Sequence, residues 1–280
     1  MNVYKPSELI ALLKAHATAA KKRFSQNFLI DANILNKIVS AAHIQKGDAV
    51  LEIGAGPGAL TAALLKKGAR VTAIEIDLQL IPILKLLEGE NTLEIIEGDA
   101  LSLPLDALCQ ARAEENTKVK VVANLPYHIT TPLLARLLPL HQWVESLTVM
   151  VQKEFADRML AHAGTSDYSS FTLFVQFYSR IQRCFNISPS CFYPAPKVHS
   201  TVVNCQLKSF PLTKESVNAF FKMTRTAFQQ RRKMLRSTLK ALYPLSRLDA
   251  ALQALHISLN VRPEELSLDQ FLLLFRDLER

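Results

Sequence analysis

The chain has 280 residues, 49% hydrophobic and 21% charged, with a formal net charge of +8, a balance that suits a globular protein of one large domain or two unequal ones. No run approaches the roughly 18 consecutive apolar residues of a membrane span, and Glu8, Lys14 and His16 interrupt any signal-peptide core, so a cytoplasmic protein without membrane association is expected. Cys109, Cys184, Cys191 and Cys205 show neither C-x-x-C spacing nor a His at ligand spacing, which excludes the usual metal motifs and predicts reduced, packed thiols.

From the N-terminus, residues 1–23 carry five Lys/Arg against one acid, while residues 24–207 carry 15 against 17. In that second stretch the apolar, β-branched runs "DAVLEIG" (48–54), "RVTAIEID" (70–77), "TLEIIEGD" (92–99), "VKVVANL" (119–125) and "SLTVMVQ" (146–152) alternate with segments long enough for a helix. That alternation predicts an α/β fold with a doubly wound, largely parallel sheet. "SFTLFVQFYS" (170–179) and "KVHSTVVNCQL" (197–207) read as two further strands closing one edge as an antiparallel pair. Beyond Pro211 the chain turns helical, with one long helix over 214–242 and two shorter ones near 246–256 and 267–278. Residues 208–280 carry 13 Lys/Arg against seven acids, so the positive excess lies in the two flanks. Such flanks suit a polyanion held around a slightly acidic middle that does chemistry; a plain solvated surface is the alternative.

Ligands of doubly wound sheets bind at the carboxyl ends of the strands, near the switch in strand order. The first end, "EIGAGPGAL", has Gly54, Gly56 and Gly58 for a tight turn and a close backbone approach, a pattern that also fits a nicotinamide fingerprint. The second offers Glu75, about 20 residues on, where a ribose ligand belongs; a solvated acid is the alternative. At the third, Asp99 is an acceptor for an exocyclic amine such as that of adenine. The fourth, "VVANLPYHIT" (121–130), sets the Asn124 side-chain oxygen and the Pro126 carbonyl as two acceptors for an –NH₂ group, with Tyr127 as a stacking face. Along the long helix, Phe221, Phe228, Leu235 and Leu239 share one stripe and Arg225, Arg232, Arg236 and Lys240 lie beside it, with no acid between Lys222 and Lys240.

These strand ends resemble the motifs of S-adenosylmethionine-dependent N6-adenine methyltransferases. "KKRFSQNFLID" (21–31), "VQKEFADRM" (151–159), "CFYPAPKVHSTVV" (191–203) and "TAFQQRRKMLRSTL" (226–239) narrow the resemblance to the rRNA adenine N6,N6-dimethyltransferases, and within them to the bacterial small-subunit KsgA/RsmA family. The resemblance covers residues 20–280. It implies a Rossmann-like class I methyltransferase domain over 24–208, a smaller all-helical RNA-binding domain over 209–280 and a basic N-terminal extension over 1–23.

Also implied is methyl transfer from S-adenosylmethionine to the N6 amines of two adjacent adenines, in the loop of the 3′-terminal hairpin of small-subunit (16S) rRNA, during subunit biogenesis. The expected partner is that rRNA within a 30S subunit or precursor, met by a monomer without a metal. By matching position, Gln26, Asn27 and Leu29 contact the methionine or ribose part of the cofactor, Gly54 its carboxypropyl chain, Glu75 the ribose hydroxyls and Asp99 the adenine amine. Asn124 lies between cofactor and target base. Asn124, Pro126 and Tyr127 form the catalytic group, and Phe192 covers the other face of the base, against a default place in the core. Lys21, Lys22 and Arg23 join Arg225, Arg232, Arg236 and Lys240 in gripping phosphates. The rival readings are a large-subunit rRNA methyltransferase of the antibiotic-resistance type, a non-catalytic RNA-binding assembly factor on the same fold, and a nicotinamide dehydrogenase, for which Asp99 has no task.

Overall fold

The computed structural model describes residues 4–89, 92–114, 117–126, 129–210, 212–230 and 232–279. Tyr127, expected to stack on the target base, lies outside them. The described chain forms two compact units, residues 1–156 with 180–208 and residues 157–179 with 209–280.

The first unit begins with helix α1 (Pro6–Ala15), strand β1 (Phe28–Leu29) and helix α2 (Ala32–Ala41). Strands β2 (Ala49–Ile53), β3 (Arg70–Glu75), β4 (Leu93–Glu97), β5 (Val119–Asn124) and β6 (Val144–Gln152) follow, separated by helices α3 (Ala59–Lys66), α4 (Ile81–Lys85), α5 (Leu105–Arg112) and α6 (Thr130–Leu137). Helix α7 (Lys153–Leu160) crosses into the second unit, which continues with α8 (Ser170–Tyr178). The chain then returns through β7 (Ser179–Ile187), β8 (Phe192–Tyr193) and β9 (Ser200–Leu207). Helices α9 (Lys214–Phe228), α10 (Leu235–Leu239), α11 (Leu245–Ala254) and α12 (Leu268–Leu278) complete the second unit.

The main sheet runs β4-β3-β2-β5-β6-β9-β7, with β4 through β6 parallel and β9 antiparallel to β6. All five predicted parallel strands are present, because runs such as "AVLEI" are buried at every position and only a sheet covered on both faces accommodates that. From β2 the order runs one way through β3 and β4 and the other way through β5 and β6. The switch point therefore lies between β2 and β5, where Gly54 and Asn124 end their strands.

Two sequence expectations are corrected. Residues 170–178 are helix, not strand: Ser169 caps α8, with a reciprocal bond from its own N–H to Thr172 Oγ1, and the edge strand is β7. An apolar run of nine residues does not distinguish the two states by periodicity, and Phe174, Phe177 and Tyr178 settle it by packing on Phe221 of α9, Phe177 at 5.0 Å between ring centroids. The long helix expected over 214–242 is two. Between α9 and α10 the Leu235 N–H donates to the Val261 carbonyl at 2.8 Å, a tertiary bond in place of a helical one.

Candidate active site

Each strand end delivers one polar group to a continuous cleft, lined in its middle by Gln26, Asn27, Phe28, Gly54, Glu75 and Asn124. Gly54 leaves β2 with φ of +76°, a conformation that an L side chain adopts at a cost of about 1–2 kcal/mol. A Cβ there would stand 3.6 Å from the Asn124 carbonyl, so glycine keeps the cleft floor open at the switch point. Glu75, 4% exposed, accepts from the Gly56 N–H at 2.7 Å on Oε2 and from the Asp77 N–H at 2.8 Å on Oε1. Burial holds its carboxyl above the ordinary range, against those two bonds. The carboxylate is thus fixed by backbone, and each oxygen keeps a lone pair for a hydroxyl.

Half-buried Asp99 accepts from the Leu101 N–H at 2.8 Å through Oδ1. It lines the apolar end of the cleft with Ile53, Ile74, Ile76 and Ala100. Ile76 is 41% exposed, an open apolar side chain beside an amine acceptor, which suits the face and edge of a purine. At the other end, Asn124 Nδ2 donates to the Asn27 carbonyl at 3.2 Å, which turns the side-chain oxygen away from that bond. Asn27 is held in turn by its own Nδ2, bonded to the Ser25 carbonyl at 3.0 Å.

Several expected roles change. The Pro126 carbonyl already accepts from the Ile129 N–H at 3.1 Å and the Thr130 hydroxyl at 3.2 Å, so both of its lone pairs are engaged, whereas no described residue donates to the Leu125 carbonyl. Phe192 is 4% exposed and packs in the core with Leu29, Ile187 and Val202, because β8 pairs with β1 and turns it inward. Its neighbour Tyr193 is the exposed one, at 38%. Gln26 borders the cleft, but its amide is committed to Asp77 Oδ2 at 2.9 Å and its oxygen to the Lys21 N–H at 2.7 Å. Leu29 lines the deeper part and is otherwise core.

Among the cations, Lys21 is paired with Asp77 at 2.5 Å, and Arg236 with Asp249 of α11 at 3.3 Å, an acid 13 residues downstream that local spacing did not reveal. Lys22, Arg23, Arg225, Arg232 and Lys240 are exposed and form no ion pair with a described residue.

Two acids went unremarked in the sequence. Glu52, in the middle of β2, is 1% exposed and lines the cleft beside Gly54 and Asn124. Among the described residues its Oε2 has no hydrogen-bond partner, and neither has the Thr61 hydroxyl. Burial pushes this carboxyl up to about 8, opposed by the Thr61 backbone N–H and reinforced by the Glu75 charge. Asp77, 2% exposed, gathers Lys21, Gln26 and the Gln79 N–H. The readable signal for Glu52 was a single charge inside an otherwise apolar parallel strand. Asp77 had no local signal, because its side-chain partners Lys21 and Gln26 are more than 50 residues away. No group of three or more His, Cys, Asp or Glu among the described residues is arranged to hold a metal ion, and no described helix is long and apolar enough to cross a membrane.

Residues 17–280 match the family model described as ribosomal RNA adenine dimethylase. The chain is 48% identical over 279 residues to the ribosomal RNA small subunit methyltransferase A of Protochlamydia amoebophila, covering 99% of this chain and 98% of that relative. A dimethyladenosine transferase structure from Plasmodium falciparum is similar at TM-score 0.74 and 31% identity, over 88% of this chain and 95% of that one. The 23S rRNA methyltransferase ErmE is similar at TM-score 0.69 and 25% identity, over 91% and 100%.

Proposed function

The chain belongs to the ribosomal RNA adenine dimethylase family, and from that premise we infer that it methylates the N6 amines of two adjacent adenines in the loop of the 3′-terminal hairpin of small-subunit rRNA, with S-adenosylmethionine as donor. The observation that carries this reading is the convergence of Gly54, Glu75, Asp99 and Asn124 on one cleft at the switch point.

The residues fit the cofactor. The buried Glu52 carboxyl, whose Oε2 has no partner among the described residues, matches an α-ammonium, which would supply a counter-charge to a buried acid. Gly54 leaves room for the carboxypropyl chain, Glu75 takes the ribose hydroxyls, and Asp99 with Ile76 takes the adenine. When bound, the cofactor supplies a sulfonium-activated methyl carbon. Adenine N6 is a poor nucleophile because its lone pair is delocalised into the ring. Asn124 Oδ1 and the Leu125 carbonyl accept hydrogen bonds from its two N–H groups, which directs the lone pair at the methyl carbon and stabilises positive charge on nitrogen as the N–C bond forms. The S–C bond breaks to leave S-adenosylhomocysteine, and one N6 proton is released to solvent. Tyr127 retains its sequence-based role as a stacking face. Extrusion of the base costs a few kcal/mol in a helix and least in a loop, in keeping with a hairpin-loop target within a 30S subunit or precursor. Lys22, Arg23, Arg225, Arg232 and Lys240 supply phosphate contacts.

The test is radiolabelled methyl transfer to unmethylated small subunits, followed by mapping of the modified bases. Label in two adjacent loop adenines is expected. Transfer to large subunits alone would establish the antibiotic-resistance type instead, and absence of transfer to either would favour a non-catalytic factor.

A further inference from the structure

Residues 21–28 form a strap whose 24–28 part lines the middle of the cleft together with Glu75, which receives the Asp77 N–H, and Asn124, whose amide donates to the Asn27 carbonyl. Phe28 anchors one end of this strap, buried with Leu9, Leu13, Leu80 and Ile83, whereas Lys21, Phe24, Ser25, Gln26 and Asn27 are only partly buried and depend on polar contacts for their position. Ser25 sits in the left-handed region at φ +52°, a conformation that persists in a non-glycine residue only when its surroundings hold it.

Those surroundings converge on one carboxylate. Asp77 Oδ1 takes the Lys21 ammonium at 2.5 Å and the Gln79 N–H at 3.2 Å, and Oδ2 takes the Gln26 amide at 2.9 Å. The Gln26 oxygen then closes a ring by accepting the Lys21 backbone N–H. Side-chain and main-chain bonds thus fix both flanks of the Ser25 turn, and with it the direction of the Asn27 carbonyl. Nothing in the catalytic reading requires Asp77: its carboxylate points at the strap, not at the cleft-facing groups of Glu75, Asp99 or Asn124.

We propose that Asp77 is a positioning residue that fastens the 21–28 strap and, through the Asn27 carbonyl, sets the orientation of the Asn124 amide that receives the target amine. A charged hydrogen-bond set within a buried node is strong enough for the task, whereas a lone surface pair is not. Through its N–H the same residue steadies Glu75, so one node couples cofactor binding to placement of the acceptor. The inference rests on the roles proposed above for Glu75 and Asn124.

The variants are Asp77→Asn, which keeps the shape but removes the charge, Lys21→Met, Lys21→Arg, and the double variant Asp77→Asn with Lys21→Met. S-adenosylmethionine affinity is measured calorimetrically without RNA, and kcat on unmethylated small subunits at saturating concentrations of both substrates. Loss of a charged hydrogen bond corresponds to about tenfold or more, so Asp77→Asn and Lys21→Met are each expected to weaken cofactor binding and to lower kcat on about that scale. Lys21→Arg should recover most of both, and the double variant should be no worse than Asp77→Asn alone.

Because cofactor affinity is read without RNA, a lost phosphate contact of Lys21 cannot produce that effect. Folded variants with Kd and kcat within twofold of wild type, or with a lower melting temperature as the sole change, would overturn the proposal, as would additive losses in the double variant. Should Asp77→Asn fail to fold, Lys21→Met at a partly exposed site carries the same decision. Wild-type protein that does not bind S-adenosylmethionine sinks the cofactor reading instead, and is distinguished by that control.

Discussion

At the scale of single residues, the proposed roles separate groups that bind from groups that react. Asn124→Ala removes the proposed amine acceptor while leaving Gly54, Glu75 and Asp99 in place. Methyl transfer should be lost, with S-adenosylmethionine affinity within about tenfold of wild type, since one neutral hydrogen bond is worth roughly 1 kcal/mol; near wild-type dimethylation would remove Asn124 from the mechanism. Glu52 makes a second prediction through pH. Its folded pKa is raised from 4.5 to about 8, so the stability that its neutral form retains is fully present below about pH 4.5 and is lost as pH rises through 8. Glu52→Gln stays neutral throughout. Without cofactor it should therefore melt progressively higher relative to wild type between pH 5 and pH 9, and it should bind S-adenosylmethionine more weakly because the ammonium loses its counter-charge. A difference in melting temperature that does not vary with pH would refute the burial argument.

At the scale of elements, the strands were legible and the helices less so. Five parallel strands announce themselves as apolar runs, four of them buried and the edge strand β4 only partly so, and the residue that ends each one follows from where the run stops. The segment 170–178 did not, because an apolar run rich in Phe and Val carries no period of its own; the Ser169 cap was the local clue, and contact with α9 made the decision. Ser169→Ala should lower stability to denaturant by about 1 kcal/mol, the usual cost of an N-cap, with cofactor affinity unchanged. An unaltered denaturation midpoint would show that aromatic packing alone holds α8. The interruption between α9 and α10 separates the cationic stripe too, and it leaves Arg225 on one helix and Arg236 on the next, tied to Asp249.

At the scale of the whole molecule, positive charge is concentrated in the flanking segments, and the structure sorts those cations into paired and free. Arg225, Arg232 and Lys240 are exposed without ion pairs to described residues, so replacing all three by Ala should weaken subunit binding and flatten its log–log salt dependence by roughly 0.7–0.9 per lost contact. The S-adenosylmethionine affinity should not move, and an unchanged salt slope would reduce these side chains to a solvated face. By itself the sequence determined the doubly wound sheet, the order of the strand ends that line the cleft, the family and the helical character of the C-terminal segment, because each rests on local pattern or on motifs contiguous in the chain. Only the tertiary structure decided that Phe192 is core, that the Pro126 carbonyl is already occupied, that Glu52 lines the cleft with its Oε2 unpartnered among the described residues, and that Lys21 belongs to Asp77 rather than to solvent. Those outcomes depend on groups tens of residues apart meeting at a common distance, and no periodicity along a single segment records which distant donor reaches which acceptor.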